Sequence, residues 1–377
     1  MKAILFFSLI IQIYSYSMIP FTRKDILSLL SLSPLSLQQT SLLPLTDNDN
    51  KNNKKPVVVI GGCGYTGSDC VRSLINEKKR NTRVVSRNPF QLENLTDTSL
   101  IDYKYGDVTI PSTLPNVLKD AQAVIFSVSA KKRIKTDNDI SQSHTDVNYI
   151  GLLNVAKVCI ENKIPRLIVI SAFCSDCTSA NGYNSGVKFD KSCGLKCENC
   201  LSKMDGESAL KKLYAETQQV QQVQQVQQSY TIIKPGFLTI GEKRGVKAIE
   251  INQDYTKSGM ISRLDLADVC INSIDNKNTE MTSFTCYYKD TIQPVDVKKS
   301  LEICTGRNKT IEECFFGSYF KHKKPKNMDD VLKAPIKDTL FSTGNEYSGN
   351  TYNQIFKKLK KDNFKDFNLN DINFGIS

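Results

Sequence analysis

The sequence predicts an α/β fold built on a doubly wound parallel sheet, with a Cys-rich insertion and a small C-terminal extension. Two observations predict the sheet: apolar runs of strand length recur along the chain, and segments with helical periodicity separate them. A continuous apolar run is typical of a strand that is buried on both faces of a parallel sheet. Alternation of such strands with helices gives right-handed βαβ units.

The elements follow in order from residue 56. A strand over 56–60 precedes a glycine-rich turn and a helix over 65–78, and a second helix is predicted over 141–161. Further strands are predicted over 82–86, 101–105, 121–127, 166–171 and 230–234. These elements place one domain over 55–305. A QQV repeat over 217–228 is expected to extend the preceding helix or to form a loop.

The N-terminus has the pattern of a targeting signal. Lys2, an apolar run over 3–13 and small residues up to Ser17 predict a secretory signal peptide over 1–17. Residues 18–54 are rich in Leu and Ser and end in a polar linker, a composition typical of a transit peptide. Together they predict delivery to the plastid stroma, with the secretory pathway as the alternative. No later run is long and apolar enough to span a bilayer, so no stable membrane insertion is expected.

The glycine turn is the first candidate binding site. It reads GGCGYTG and lies between a buried strand and an amphipathic helix. Glycines let the backbone turn tightly and approach a pyrophosphate, and the amides at the helix N-terminus face the phosphates. In this context the pattern predicts a dinucleotide site, to which the whole loop contributes: Gly61, Gly62, Cys63, Gly64, Tyr65, Thr66 and Gly67.

Arg87 indicates which dinucleotide is bound. It follows the second strand, where NAD sites have an acid that binds the ribose 2′-hydroxyl. A guanidinium at this place can instead bind a 2′-phosphate with two hydrogen bonds. The sequence therefore predicts NADP rather than NAD; the alternative is a solvated arginine in a loop.

Several motifs resemble a known family. GGCGYTG, SRNP, YGDV, VISA, Lys203-x-x-Gly206-Glu207, TIIKPGFL and ISRLDLADV occur in the order found in atypical short-chain dehydrogenase/reductases. Over roughly residues 55–290 the chain looks most like the NmrA-like and plastid NAD(P)-binding branch. The resemblance implies a Rossmann-like fold and a set of cofactor contacts: the glycine loop at the pyrophosphate, Arg87 at the 2′-phosphate, Asp107 and Val108 beside the adenine, Ser127 beside the nicotinamide ribose, and Pro235 and Gly236 at the nicotinamide end.

The catalytic positions depart from the family pattern. Classical members use Tyr-x-x-x-Lys, in which the lysine lowers the pKa of the tyrosine, but Asn199 lies four residues before Lys203. The catalytic serine would fall near Ala172, with Ser171 one step away as a cofactor contact. Lys203 is the one catalytic candidate, as a ribose ligand without a phenol to activate. The alternative is an exposed lysine at a helix start.

Five cysteines cluster after the fifth strand. Cys174-x-x-Cys177 and Cys197-x-x-Cys200 have the spacing of two zinc knuckles. The same residues also fit a disulfide pair, a redox switch or reduced surface thiols, and the related families do not carry this cluster. Zinc and redox pairing both stay open.

The C-terminal extension over 306–377 carries two lysine clusters. One lies over 321–326, and the other, over 357–361, adjoins a helical pattern with Tyr352, Ile355, Phe356 and Leu359 on one face. The pattern predicts a docking helix with a solvated basic side. The alternative is a contact with RNA or a protein partner. The net charge of +11 is mild for 377 residues and does not itself indicate nucleic-acid binding.

Two functions of different class follow. The first is an NADP-dependent oxidoreductase that acts on an unknown small substrate. The second is a non-catalytic NADP-binding scaffold that serves assembly, redox sensing or RNA association. The cofactor motifs support both, and the missing tyrosine, the cysteine cluster and the basic extension favour the second.

Overall fold

The computed structural model describes residues 55–130, 143–173, 198–221, 228–294, 297–309, 314 and 343–363. The strands are β1 (Val57–Ile60), β2 (Thr82–Ser86), β3 (Ile101–Tyr105), β4 (Ala123–Phe126), β5 (Arg166–Ile170), β6 (Ser229–Pro235), β7 (Phe237–Thr239), β8 (Ile249–Asn252), β9 (Lys257–Ser258), β10 (Met260–Ser262), β11 (Thr282–Tyr288), β12 (Gln293–Pro294) and β13 (Glu346–Tyr347). The helices are α1 (Tyr65–Arg72), α2 (Leu114–Leu118), α3 (Gly151–Glu161), α4 (Glu198–Gln221), α5 (Arg263–Ile274), α6 (Val297–Thr305) and α7 (Tyr352–Phe356).

The main sheet confirms the predicted doubly wound topology. Its order is β13-β8-β11-β6-β5-β4-β1-β2-β3. The strands from β3 to β11 in this order are all parallel, whereas β8 and β13 run antiparallel at one edge. The strand order reverses between β1 and β4, since Val57 pairs with Thr82 on one side and with Ala123 on the other. In doubly wound sheets this switch point is where ligands bind.

Alternate residues of β1 serve two separate cores. Val57 and Val59 pack with α1 and α5, including Val71 and Leu266. Val58 and Ile60 pack on the other face with α2, α3 and α4, listed here by their core residues Leu114, Val117, Leu152, Val155, Leu210 and Tyr214. All four residues of β1 are at most 2% exposed. This explains why the strand is apolar at every position rather than at alternate ones.

The predicted elements agree with the structure except at their ends. Strands β2 and β3 have the predicted bounds, whereas β4 is shorter, at Ala123–Phe126. The helix predicted over 65–78 is α-helical to Arg72 and continues as a π-helical turn, Ser73–Glu77. Helix α4 extends to Gln221, so the start of the QQV repeat continues the helix as expected.

Part of the C-terminal extension belongs to the main sheet. Strand β13 pairs with β8, and α7 buries Ile355 and Phe356 against the core. The adjoining lysines at 357, 358, 360 and 361 are exposed. The helix therefore packs as predicted, with its basic side in solvent. The targeting segments over 1–54 and the lysine cluster over 321–326 lie outside the described residues.

Candidate functional site

A cavity of about 490 Å³ opens where β1, β2 and β4 end. Its wall is formed by the glycine loop, the residues that follow β2 and β4, and the start of α5. The carboxyl ends of the strands at a switch point form the usual ligand crevice of this topology. A second cavity, of about 410 Å³, lies at the opposite edge, beside Lys55 and Pro165. The first cavity is the candidate site because the predicted binding residues converge there.

The glycine loop has the geometry of a phosphate-binding turn. Gly61 has a φ of 78°, and a Cβ there would lie 2.5 Å from the Ser127 carbonyl oxygen. A Cβ on Gly67 would lie 2.2 Å from the Gly61 carbonyl oxygen, so α1 can approach β1 this closely only with glycine. Helix α1 starts from Gly64 with no acidic residue in its first turn. The amides at the N-terminus of α1 therefore suit an anion.

The structure brings most of the predicted cofactor residues to this cavity. Those that line it are Gly61, Cys63, Gly64, Tyr65, Thr66, Arg87, Asp107, Val108 and Ser127. The remaining predicted residues are buried and do not line it: Gly62, Gly67, Ser171, Lys203, Pro235 and Gly236. Two of these shape the fold nearby, because Gly67 admits α1 and Gly236 admits the loop at Gly259, whose oxygen a Cβ would approach to 2.0 Å.

Two cations and one carboxylate give the cavity its charge. Arg87 lines it just beyond β2, between Ser86 and Asn88 in the sequence. Arg263 lines it from the start of α5, and its guanidinium lies 5.2 Å from the centre of the Tyr65 ring. Asp107 accepts hydrogen bonds from the Thr109 amide and hydroxyl, at 2.9 and 2.8 Å. Sequence reasoning missed Arg263, because it lies more than 170 residues after Arg87.

A buried ion pair lies beside the predicted catalytic helix. Lys234 Nζ is 2.8 Å from Glu207 Oε2, and both side chains are at most 6% exposed. The Ser171 hydroxyl donates a hydrogen bond to Glu207 Oε1, and Lys234 Nζ lies 4.4 Å from the Tyr255 ring centre. The pair thus joins the ends of β5 and β6 to α4. The sequence contained an indication of this ion pair: a lysine ends the apolar run YTIIK, and a glutamate follows Lys203 by one helical turn.

Lys203 is buried rather than exposed. It is 8% exposed, so its interpretation as a surface lysine at a helix start is wrong. Burial lowers the pKa of Lys203 to about 8, although the negative charge of Glu207 opposes this. Within the described parts of the chain, no hydrogen-bond or ion-pair partner is found for its ammonium group. At pH 7 the buried side chain of Lys203 is therefore mainly protonated, with a pKa only slightly above the pH.

Asn199, four residues before Lys203, forms hydrogen bonds at the edge of the cavity. Its Oδ1 accepts hydrogen bonds from Asn148 Nδ2 at 2.9 Å and from the Ser129 hydroxyl at 3.3 Å. Asn148 also donates to the Ser202 hydroxyl at 3.0 Å. Since Ser129 lines the cavity, Asn199 lies next to it. An amide at this position has no acidic proton to exchange with a substrate at neutral pH.

The predicted zinc site is not supported. Cys200 is buried and disulfide-bonded, so its sulfur is not available as a thiolate ligand. Cys174, Cys177 and Cys197 lie outside the described residues. Among the residues that are described, no group of three or more His, Cys, Asp or Glu side chains could hold a metal ion. The state of Cys200 agrees with the disulfide alternative. Cys304 and Cys314 form a further disulfide.

Comparison with known proteins agrees with the geometry of the cavity. A family model described as NAD(P)H-binding matches residues 61–277, which is more than half of the chain. UDP-glucose 4-epimerase of Vibrio cholerae is 26% identical over 196 residues, covering 52% of this chain and 54% of that protein. The human sterol-4-alpha-carboxylate 3-dehydrogenase, decarboxylating, is 28% identical over 123 residues, covering 33% of this chain and 30% of that protein. The chain thus matches about half of these relatives or less.

Among solved structures, the chain is similar to a short-chain dehydrogenase/reductase from Veillonella parvula in complex with NADP. The identity is 12%, the match covers 63% of this chain and 96% of that one, and the TM-score is 0.44. No helix in the described part of the chain has both the length and the apolar character needed to cross a membrane.

Proposed function

The chain belongs to the NAD(P)H-binding family, and from this premise we propose that it is an NADP-dependent oxidoreductase of the atypical short-chain dehydrogenase/reductase type. The observation that carries the proposal is Arg87 in the cavity wall just beyond β2, where an acid would select NAD. A guanidinium there can bind the 2′-phosphate with two charge-assisted hydrogen bonds. The glycine loop and the N-terminus of α1 would hold the pyrophosphate.

The nicotinamide, when bound, would accept or supply a hydride. The residues of this chain then have to bind the cofactor, orient the substrate and transfer one proton. Lys203 is the candidate ligand of the ribose hydroxyls, and the Glu207–Lys234 ion pair fixes the helix that carries it. Because Asn199 cannot replace a phenol, a water or the substrate itself would supply the proton. This site suits reactions in which the substrate provides its own acidic group.

Two measurements test the proposal. Calorimetric titration of the full chain with NADPH and NADH should show tighter binding of NADPH. Incubation with NADPH and a pool of small metabolites should then show oxidation of the cofactor. Equal affinities for the two cofactors would remove the NADP assignment, and tight NADPH binding without turnover of any compound would remove the oxidoreductase.

A non-catalytic NADP-binding protein is the second candidate. Two observations favour it: Asn199 replaces the proton donor, and the next residue, Cys200, is disulfide-bonded. A disulfide beside the start of α4 could link the redox state of the compartment to the cavity wall. NADPH affinity that changes at least several-fold on mild reduction, without turnover, would favour this candidate.

The subclass and location are also proposals. The motif order supports an NmrA-like, plastid-type member, and the composition of residues 1–54 supports delivery to a plastid. A fusion of residues 1–54 to a fluorescent protein tests the second point. Fluorescence in the secretory pathway instead of the plastid would contradict it.

A further inference from the structure

Exposed apolar side chains are concentrated beside the cavity. Phe237, Leu238, Ile240, Met260 and Leu264 are each between 38% and 89% exposed. These five, which we call the apolar rim, are half of the ten large apolar side chains that are exposed in the described part of the chain. All five fall within residues 237–264. Scattered exposed apolar residues need no explanation, but a local concentration marks a binding surface.

The rim is continuous with the cofactor cavity. Leu238 lines the cavity, as does Arg263, the residue before Leu264. Strand β7, which carries Phe237 and Leu238, follows directly after the end of β6, where the nicotinamide end of the site is predicted. A substrate that meets the nicotinamide from this side would therefore contact the rim.

The rim is held in place by specific contacts. Strands β7 and β10 are paired, with Phe237 opposite Met260. The ring of Phe237 lies edge-on to that of the buried Phe173, with 5.1 Å between the ring centres. A Cβ on Gly236 would lie 2.0 Å from the Gly259 carbonyl oxygen, so glycine is needed where the two strands approach. The exposure therefore belongs to an ordered surface.

Two of the charged residues next to the rim form ion pairs, whereas Arg263 faces the cavity and the Tyr65 ring. Lys243 Nζ lies 2.7 Å from Asp268 and 2.9 Å from Glu77. Arg244 forms an ion pair with Asp290 at 2.7 Å. Lys243 and Arg244 are thus occupied by carboxylates, and the five rim side chains have no hydrogen-bond donor to offer the hydroxyl groups of a ligand.

We propose that the substrate bound beside the cofactor has an alkyl or aromatic body that packs on the apolar rim, and that it is not a polyol or a sugar. The inference rests on the proposed function for its placement next to the cofactor. Removal of both the ligand body and the rim from water supplies the binding energy. The affinity should therefore rise with the apolar length of the ligand.

The test measures the binding of alkan-2-ones from butan-2-one to nonan-2-one, and of sorbitol, to the full chain by calorimetry, with and without NADP⁺. The expected result is a Kd that falls about fourfold for each added methylene, and no binding of sorbitol. The double variant Leu238→Ser, Met260→Ser should flatten this dependence. Ile110→Ser is the control, because it removes an apolar side chain that is as exposed as Met260 but is not part of the rim. This variant should leave the dependence of Kd on chain length unchanged.

The outcomes separate this inference from the proposed function. A Kd that does not depend on chain length, or a dependence that persists in the double variant while NADPH affinity is normal, would overturn the inference alone. A steep dependence without oxidation of NADPH by any compound would support the ligand class and count against the oxidoreductase. Absence of NADPH binding to the wild type would defeat the proposed function, and the series without cofactor would still test the rim.

Discussion

Asn199 Oδ1 lies 2.9 Å from Asn148 Nδ2, one helical turn before the buried Lys203. This contact joins helix α4 to the turn before α3 at the edge of the cavity. In the Tyr-x-x-x-Lys pattern a phenol stands four residues before the lysine, which lowers the pKa of the phenol. Here the amide forms structural hydrogen bonds instead. Asn199 therefore offers no acidic group that Lys203 could activate.

The first prediction concerns cofactor choice. Arg87→Ala should weaken NADPH binding roughly 10- to 150-fold, which corresponds to about 1.5–3 kcal/mol for hydrogen bonds to a charged group. NADH binding should stay within twofold, because it has no 2′-phosphate. Lys104→Ala, which removes an exposed cation on β3, is the control and should change neither affinity. An equal loss for both cofactors in Arg87→Ala would mean that Arg87 binds a shared part of the dinucleotide.

The second prediction concerns the glycine loop. Gly67→Ala places a Cβ 2.2 Å from the Gly61 carbonyl oxygen, which is backbone and cannot move aside. We expect a free energy of unfolding lower by an amount at the upper end of about 1–3 kcal/mol, together with loss of NADPH binding. In Gly241→Ala the nearest atom to the added Cβ is the Thr239 hydroxyl at 3.6 Å, an ordinary contact. Urea unfolding of both variants checks this, and equal midpoints would contradict it.

The third prediction concerns the sheet edge. Lys257 Nζ lies 2.8 Å from Glu346 and 3.3 Å from Glu250, and all three side chains are at most 5% exposed. Lys257→Met leaves two carboxylates buried without their cation, which should cost about 3–5 kcal/mol. The exposed pair of Lys104 and Asp102 is the control, since Lys104→Met should cost less than about 1 kcal/mol. Similar losses in the two variants would mean that the buried pair is well hydrated.

The same ion pair should respond to acid. Burial opposes ionisation of Glu346, but Lys257 and the hydrogen bonds from Thr343 hold its pKa below the usual 4.5. A carboxyl whose folded pKa is depressed stabilises the protein above its unfolded pKa, and this contribution is lost as the pH falls through the folded value. The difference in unfolding free energy between wild type and Glu346→Gln should therefore be largest above pH 4.5 and shrink below it.

The fourth prediction concerns the cysteines. If Cys200 is disulfide-bonded, protein purified without reductant should carry close to no zinc, and Cys200, Cys304 and Cys314 should resist alkylation after denaturation until a reductant is added. The free Cys159 and Cys286 should be alkylated on denaturation alone. About one zinc per chain in elemental analysis would contradict the prediction and support a zinc site at these cysteines.

Among the strands that the sequence predicted, β1, β4, β5 and β6 are buried at every position, as their continuous apolar runs indicated. Strands β2 and β3 are only partly buried, and they have the predicted bounds as well. Strand β11 was not predicted, although it is buried at every position. The antiparallel strands β8 and β13 were missed as well. They contain Glu250, Asn252 and Glu346, which are buried only because Lys257 and Tyr287 satisfy them. These partners lie far apart in the chain, so no local sequence pattern predicts the two strands.

The candidate site divides in the same way. The glycine loop and Arg87 could be predicted because each follows a strand at a fixed offset, and strand ends meet at one edge of a parallel sheet. Arg263 could not be placed, because its position depends on how α5 packs, and the pairing of Lys234 with Glu207 depends on how α4 packs against β6. The burial of Lys203 also came only from packing, since α4 meets the turn before α3 where a Cβ on Gly206 would lie 2.4 Å from the Asn148 carbonyl oxygen.

The last prediction concerns Lys203 and pH. Burial lowers the pKa of Lys203 to about 8, so the side chain is mainly a cation at pH 7 and mainly neutral at pH 9.5. If the ammonium binds ribose hydroxyls near the phosphates, Lys203→Met should weaken NADPH binding at pH 7, by about 10-fold for one charge-assisted hydrogen bond. The affinities of wild type and variant should then converge as the pH rises through 8, because the wild type loses the charge.

The titration of Lys203 should affect the stability of the fold in the opposite direction to its effect on NADPH binding. The folded pKa of Lys203 is below its unfolded value of 10.5, so the unfolded chain binds more protons between pH 8 and 10.5. The contribution of this group to stability therefore rises over that range in the wild type and is absent in Lys203→Met. Lys157→Met, at an exposed position on α3, is the control for both measurements. Calorimetry of NADPH binding from pH 7 to 9.5 decides the point, because a deficit in Lys203→Met that stays constant up to pH 9.5 would show that the charge of Lys203 does not bind the cofactor.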